Sequence, residues 1–142
     1  MDVRVTSAIP TQRVAEDFIR RRALRHIEKG RVVICVGGTG NPYFSTDSCA
    51  VLRALELHCD VVVKATKVDG IYNKDPKKFA DAVRHDTLHL HEVIQKDIRV
   101  MDQAAIALAH DEGMPIYVCK IEDIDQICSD DIIGTFVYAK KA

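Results

Sequence analysis

Three short runs in this chain, Arg31–Val36, Asp60–Lys64 and Ile116–Cys119, are apolar at consecutive positions through their centres. A strand with one wet face alternates apolar and polar residues. A run apolar at every position belongs to a strand covered on both faces, as parallel strands are beneath their crossover helices. Helical patterns separate the runs. Within Val14–Lys29, Ala15, Ile19, Ala23 and Ile27 recur four apart with Phe18 beside them, and Gly30 is a stop signal. Ser45, Thr46 and Asp47 are capping residues ahead of a helix predicted over Ser48–His58. His91–Lys96 is a short helix, and Met101–Glu112 a stronger one closed by Gly113 and Pro115. Val3–Val5, broken by Pro10 and Thr11, is a further strand, and Val68–Ile71 a turn with strand-like flanks. Residues 73–89, with Pro76, read as a polar surface excursion. Glu122–Cys128 reads as a helix and Ile133–Tyr138 as a last strand. Strands alternating with helices predict an α/β fold, with an open, mostly parallel sheet between helical layers.

The 142 residues suit a single domain spanning 1–142, and no repeat, low-complexity tract or linker interrupts them. Acids and bases nearly cancel, with a formal net charge of −1, so nothing argues for a global polyanion-binding surface and no nucleic-acid partner is expected. No apolar stretch approaches the roughly 20 residues of a membrane helix, and no apolar segment follows Met1 as in a secretory signal. Five cysteines, never spaced C-x-x-C, read as reduced, mostly buried small hydrophobes of a cytoplasmic protein.

In open parallel sheets ligands bind beyond the carboxyl ends of the strands. One such place is Gly37-Gly38-Thr39-Gly40-Asn41-Pro42, leading to Ser45-Thr46-Asp47. Glycines there let a backbone approach a ligand, and their N–H groups with the following helix N-terminus favour anions. Two phosphate motifs fail. A P-loop needs Gly-Lys-Ser/Thr, but no lysine lies between Lys29 and Lys64. A dinucleotide fingerprint needs a third glycine where Tyr43 stands. A structural turn is the alternative. Thr39, Asn41, Ser45 and Thr46 add hydroxyl and amide groups, although Thr46 or Asp47 also reads as a simple cap and Asn41-Pro42 as a turn pair. At the second place, Lys64 reads either as a phosphate clamp or as an exposed strand-end lysine. Tyr72 reads as a base platform or a sheet cover.

Three blocks, "GGTGNPYFSTDSCAVLRALEL", "DVVVKATKVDGIYNKDP" and "RVMDQAAIALA", together resemble the bacterial uridylate kinases (UMP kinases) of the amino acid kinase family. The resemblance runs from about Val3 to Val137 and is weakest over Lys77–His89 and Ile121–Asp131. It implies a three-layer α/β/α sandwich, usually a homo-hexamer, that transfers phosphate from ATP to UMP with Mg²⁺ in pyrimidine nucleotide biosynthesis. It places UMP against Thr39, Gly40, Asn41, Pro42, Tyr43, Phe44, Ser45 and Thr46. It places ATP against Thr66, Tyr72 and Asp75, with Asp102 near the phosphates as a catalytic aspartate. From the residue alone, Asp102 equally suits the first turn of a helix. The resemblance implies no protein-held metal site.

Family members are longer, and the resemblance implies that this chain matches their C-terminal part, without the N-terminal lobe that carries a lysine for the ATP phosphates and an arginine and aspartate for UMP. Phosphoryl transfer is mostly positioning and charge stabilisation, so such a piece is expected to lose nearly all its rate. It is also expected to expose an apolar patch or sheet edge. The alternatives are a non-catalytic nucleotide-binding or regulatory module, and a relative acting on a carboxylate or carbamate, against which the first two blocks argue. Arg20-Arg21-Arg22 with Arg25 reads as a solvated helix face or, through the resemblance, as an anion site for GTP or UTP effectors. His85, His89 and His91 lack a metal-site pattern and read as part of a polar loop.

Overall fold

The computed structural model describes residues 1–98, 100–127, 129 and 133–139. They form two compact units, Met1–Cys59 and Asp60–Ala142.

The first unit contains β1 (Val3–Ser7), β2 (Glu16–Asp17), α1 (Arg20–Glu28), β3 (Val32–Val36) and α2 (Thr46–Glu56). Its sheet has the order β2-β1-β3, parallel throughout, with Val3 opposite Val32 and Ser7 opposite Val36. The helix predicted over Val14–Lys29 is therefore shorter. Thr11 O takes the N–H of both Val14 and Ala15, a turn that delivers Glu16 and Asp17 to the edge of β1. Phe18 N–H then donates to Ser7 O at 2.7 Å. The ladder satisfies backbone groups that the helix would otherwise have used, and α1 starts only after the extended Ile19.

β3 also departs from expectation, because it is not covered on both faces. Val32, Ile34 and Val36 are 41, 45 and 39 % exposed, and Val3 and Val5 beside them 43 and 39 %. Register puts these five side chains on one face of β1 and β3. The other side is the covered one: Thr6 is buried, and its hydroxyl lies 3.8 Å from Cys35 Sγ. An apolar run shows that each side tolerates burial, not that a layer covers each. An uncovered apolar sheet face is thus present. α2 begins two residues earlier than predicted because Ser45 is its cap, and Ser48, Val51 and Ala54 form its buried stripe.

The second unit contains β4 (Val62–Thr66), β5 (Ile71–Tyr72), β6 (Arg84–His85), β7 (Thr87–His89), α3 (Leu90–Gln95), α4 (Gln103–Asp111), β8 (Ile116–Lys120), a 3₁₀ turn (Ile121–Gln126) and β9 (Gly134–Tyr138). Its main sheet runs β4-β8-β9-β7, and β5 pairs with β6 separately. The pairs β4–β8 and β7–β9 are parallel; β8–β9 and β5–β6 are antiparallel. Ile116, Cys119 and Val137 in the sheet, and Leu90, Ala105 and Ala109 on the helices, are fully enclosed. Burying a branched side chain such as Ile116 contributes about 1.5–3 kcal/mol.

Residues 73–89 are not all loop: they supply β6 and β7, and Leu88 is buried. Strands of two and three residues leave too few positions for a period to register. The described chain therefore holds nine strands where the sequence suggests five. The helix expected over Glu122–Cys128 is a 3₁₀ turn, and Cys128 lies outside the described residues. Of the other cysteines, Cys49 and Cys119 are buried, Cys35 is half-buried and Cys59 is exposed. Among the described residues no helix is long and apolar enough to cross a membrane.

Candidate functional site: two strand ends

Beyond β3 the chain enters Gly37, Gly38 and Gly40 with φ of +78°, +61° and +78°. At Gly40 a Cβ would stand 2.9 Å from Ala8 O, so both backbone angle and space require glycine. Gly40 N–H closes the turn onto Gly37 O at 3.1 Å. Thr39 Oγ1 accepts Asn41 N–H at 3.1 Å, and Asn41 Nδ2 donates to Thr39 O at 3.4 Å. These two side chains stiffen the loop. Asn41, Pro42, Tyr43, Phe44, Ser45 and Thr46 follow on the surface, and Tyr43 is fully exposed at φ +69°. Ser45, rather than Thr46 or Asp47, caps α2, its hydroxyl accepting Ser48 N–H at 3.1 Å. Asp47 in the first turn suits the helix dipole.

Arg53, which the sequence reading passed over, reaches back from α2 to this turn. Its Nη2 donates to Gly38 O at 3.3 Å, its Nη1 pairs with Glu56 at 2.5 Å, and its guanidinium lies 3.8 Å from the Phe18 ring centroid. Burial pushes the neighbouring Cys49 thiol up against the opposing pull of Arg53. In sequence Arg53 is a cation four residues after Cys49 on a helix whose buried positions are small or apolar, a pattern that does not say whether it faces water or a carbonyl.

At the second strand end, β4 extends two residues past its predicted limit, which leaves Lys64 inside the strand and opposite Val118. Thr66 Oγ1 donates to Val68 O at 2.8 Å and accepts Val68 N–H at 3.0 Å, turning the chain towards Asp69. Tyr72 donates its hydroxyl to Asp69 Oδ1 at 2.8 Å, and Arg84 Nη1 donates to Asp69 Oδ2 at 3.1 Å. Burial works against ionisation of Asp69. The Tyr72 hydroxyl, a backbone N–H and Arg84 outweigh it and hold the carboxyl below its ordinary range. The same bond to Asp69, with burial, pushes Tyr72 up. Thr135 locks β5 in place by accepting Ile71 N–H at 2.8 Å and donating to His85 O at 2.5 Å. Asp75 is exposed and shapes its own turn, Oδ1 accepting Lys77 N–H at 2.9 Å.

Asp102 is the N-cap of α4, not a residue of its first turn: Oδ1 accepts Ala105 N–H at 2.9 Å. The expected residues thus fall in two groups, Thr39–Thr46 in the first unit and Thr66, Tyr72, Asp75 and Asp102 in the second. The arginine run divides between structural partners. Arg20 Nε donates to Glu56 O at 2.6 Å, and Arg22 lies 3.7 Å from Glu16. His85 and His89 lie in β6 and β7 rather than in a loop, and His89 Nδ1 accepts His91 N–H at 3.0 Å.

Parallel strands ending in a glycine turn and a capped helix define an α/β protein with its ligand-ready backbone at the strand ends. Residues 2–120 match the profile of the Amino acid kinase family, and the chain belongs to that family. A uridylate kinase of Xanthomonas campestris pv. campestris is 60 % identical over 141 residues, covering 97 % of this chain and 59 % of its own length. The UMP kinase of Bacillus anthracis superposes with a TM-score of 0.92 at 37 % identity, over 99 % of this chain and 59 % of that one. The UMP kinase of Ureaplasma parvum gives 0.89 at 30 % identity, over 96 % and 60 %. The chain therefore spans about three-fifths of the length of the relatives it matches. Its fold class is the mostly parallel α/β/α sandwich of these kinases.

Proposed function

We propose that this chain is the nucleotide-binding portion, residues 1–142, of a UMP kinase that moves the γ-phosphoryl of ATP to UMP, giving UDP and ADP. The carrying observation is the glycine turn after β3: three positive-φ glycines, hydroxyl and amide side chains, and a capped helix, in the block that resembles the uridylate kinases. UMP occupies Thr39–Thr46. Thr66, Tyr72 and Asp75 hold ATP. Asp102 lends its charge near the phosphates while capping α4.

Mg²⁺ enters with ATP as part of the substrate. It keeps several waters and needs one or two carboxylates besides the phosphates. Among the described residues no group of three or more His, Cys, Asp or Glu gathers as a metal cage, and Asp102 is a carboxylate of the right kind to meet a metal carried on phosphate. The protein works in the cytoplasm as a homo-oligomer, a hexamer by likeness to the family, with GTP and UTP as effectors.

A second reading is favoured by one observation, the three-fifths coverage of the relatives' length. In it the 142 residues bind nucleotide as a module without turnover, whether or not the rest of the relatives' length is supplied. ADP release by the chain with Mg²⁺-ATP and UMP, beside the chain mixed with the unmatched part of the Xanthomonas campestris enzyme, separates the two. We expect activity in the mixture alone. Activity in neither, with no UMP binding, rejects the kinase reading. Binding without turnover in either supports the module.

A further inference from the structure

Arg53 sits on α2 with only 12 % of its side chain exposed, yet its Nε is buried without a partner among the described residues. Enclosing a cation and leaving one N–H unsatisfied is a poor way to stabilise a helix, since an aliphatic side chain of similar size fills such space without that penalty. What the guanidinium accomplishes is geometric. In a trans peptide the carbonyl and the following N–H lie in one plane and point in opposite directions. Among the described residues no peptide bond is cis. Drawing Gly38 O towards Arg53 Nη2 at 3.3 Å therefore turns Thr39 N–H away from the guanidinium. The preceding plane is fixed the same way, because Gly37 O accepts Gly40 N–H at 3.1 Å and so directs Gly38 N–H away from Gly40. Among the described residues neither the Gly38 nor the Thr39 N–H has a hydrogen bond inside the protein. Successive N–H groups left over by a turn of positive-φ glycines are the donors of an anion nest.

We propose that Arg53 is a positioning residue of this turn: by anchoring Gly38 O it holds the Thr39 N–H as a donor to the phosphate of the acceptor nucleotide. This rests on the UMP reading above and adds to it a residue that does not itself touch the ligand. Glu56 fixes one end of the guanidinium and Phe18 its face, so that the Gly38 bond is made without searching. Lysine, with a single point charge, cannot engage Glu56 and Gly38 and stack on Phe18 together.

The test is made on the 142-residue chain labelled with ¹⁵N, comparing wild type, R53M and R53K. The backbone order of Gly38–Asn41 is read from ¹H–¹⁵N relaxation, with Val51 as the control in the helix, and UMP and uridine are titrated in parallel. We expect R53M to loosen the turn but not Val51, to weaken UMP about tenfold and to shift uridine less than about twofold, with R53K between. A turn equally ordered in R53M overturns the proposal, as does an equal loss for UMP and uridine, since a merely structural arginine affects both. Wild-type chain that binds neither compound, alone or mixed with the unmatched part of the Xanthomonas campestris enzyme, rejects the UMP reading instead of the anchor. In that case an R53M turn as ordered as wild type rejects the anchor too, and a loosened one upholds it. If R53M does not fold, R53K carries the same comparison.

Discussion

Tyr72 gives its hydroxyl to Asp69 at 2.8 Å, and Asp69 in turn takes an Arg84 N–H at 3.1 Å. The polar end of the tyrosine is thus committed to holding its own turn, so the proposed contact with ATP falls to the ring. Tyr72→Phe should remove one hydrogen bond, about 1 kcal/mol of stability, and leave ATP affinity within about twofold. Tyr72→Ala removes the ring as well and should weaken ATP about tenfold, the scale of one base stacked on an aromatic. Chemical denaturation and ATP titration of both variants check this. Equal ATP losses in the two would mean that the hydroxyl, not the ring, meets the nucleotide.

The same pair sets a pH dependence with two limbs. Burial raises the carboxyl of Asp69, but Tyr72, a backbone N–H and Arg84 lower it further, so its folded pKa lies below the unfolded value of about 3.9. Its contribution is present above that value and is lost as pH falls through the folded pKa. Tyr72, bonded to Asp69 and partly buried, is shifted upward from about 10. Its contribution is present below that value and is lost as pH rises through the folded pKa. The stability gap between wild type and Asp69→Asn should be flat from about pH 5 to pH 9 and shrink at both ends. Unfolding curves across pH that stay parallel at the acid end would show that Asp69 gains nothing from its partners.

Much of the frame was readable because it is written locally. Ser45 ahead of α2, Gly113 and Pro115 after α4, and the dense apolar run at Ile116 each carry their signal within a few residues. What escaped reading is held by partners distant in sequence. Glu16 and Asp17 leave the helical pattern because β1 lies beside them, and β6 exists only through β5. Thr135 meets Ile71 across 64 positions, and Arg53 meets Gly38 across 15. The glycine turn itself was legible as a turn. Its anchor was not, because one arginine among apolar helix residues looks the same from sequence whether it faces water or a carbonyl.

Asp102 combines a cap with a negative charge, and the two roles separate by substitution. Asn caps as well as Asp, so Asp102→Asn should keep the bond to Ala105 N–H and leave the melting temperature nearly unchanged. Asp102→Ala should cost about 1 kcal/mol. In the reconstituted mixture both should lower turnover about 10²-fold or more if the charge organises the phosphates. Full turnover in Asp102→Asn would reduce Asp102 to a cap.

Ile34 and Ile116 make the closing comparison, being the same residue type on two strands with opposite surroundings. Ile34 is nearly half exposed on the uncovered face of β1 and β3, while Ile116 is wholly enclosed between its neighbours. Truncating Ile116 to Ala removes buried methyl groups and leaves a cavity, a loss of about 2–5 kcal/mol. Truncating Ile34 to Ala gives up little burial and should cost less than about 1 kcal/mol in this chain. The uncovered face also predicts self-association, because contiguous apolar surface rimmed by polar residues seeks cover. Light scattering at rising concentration should therefore show less association for Ile34→Thr than for wild type, at unchanged helix content. Should Ile34→Ala prove as destabilising as Ile116→Ala, the β1–β3 face is covered in solution, by another copy of the chain, and its stability will rise with concentration.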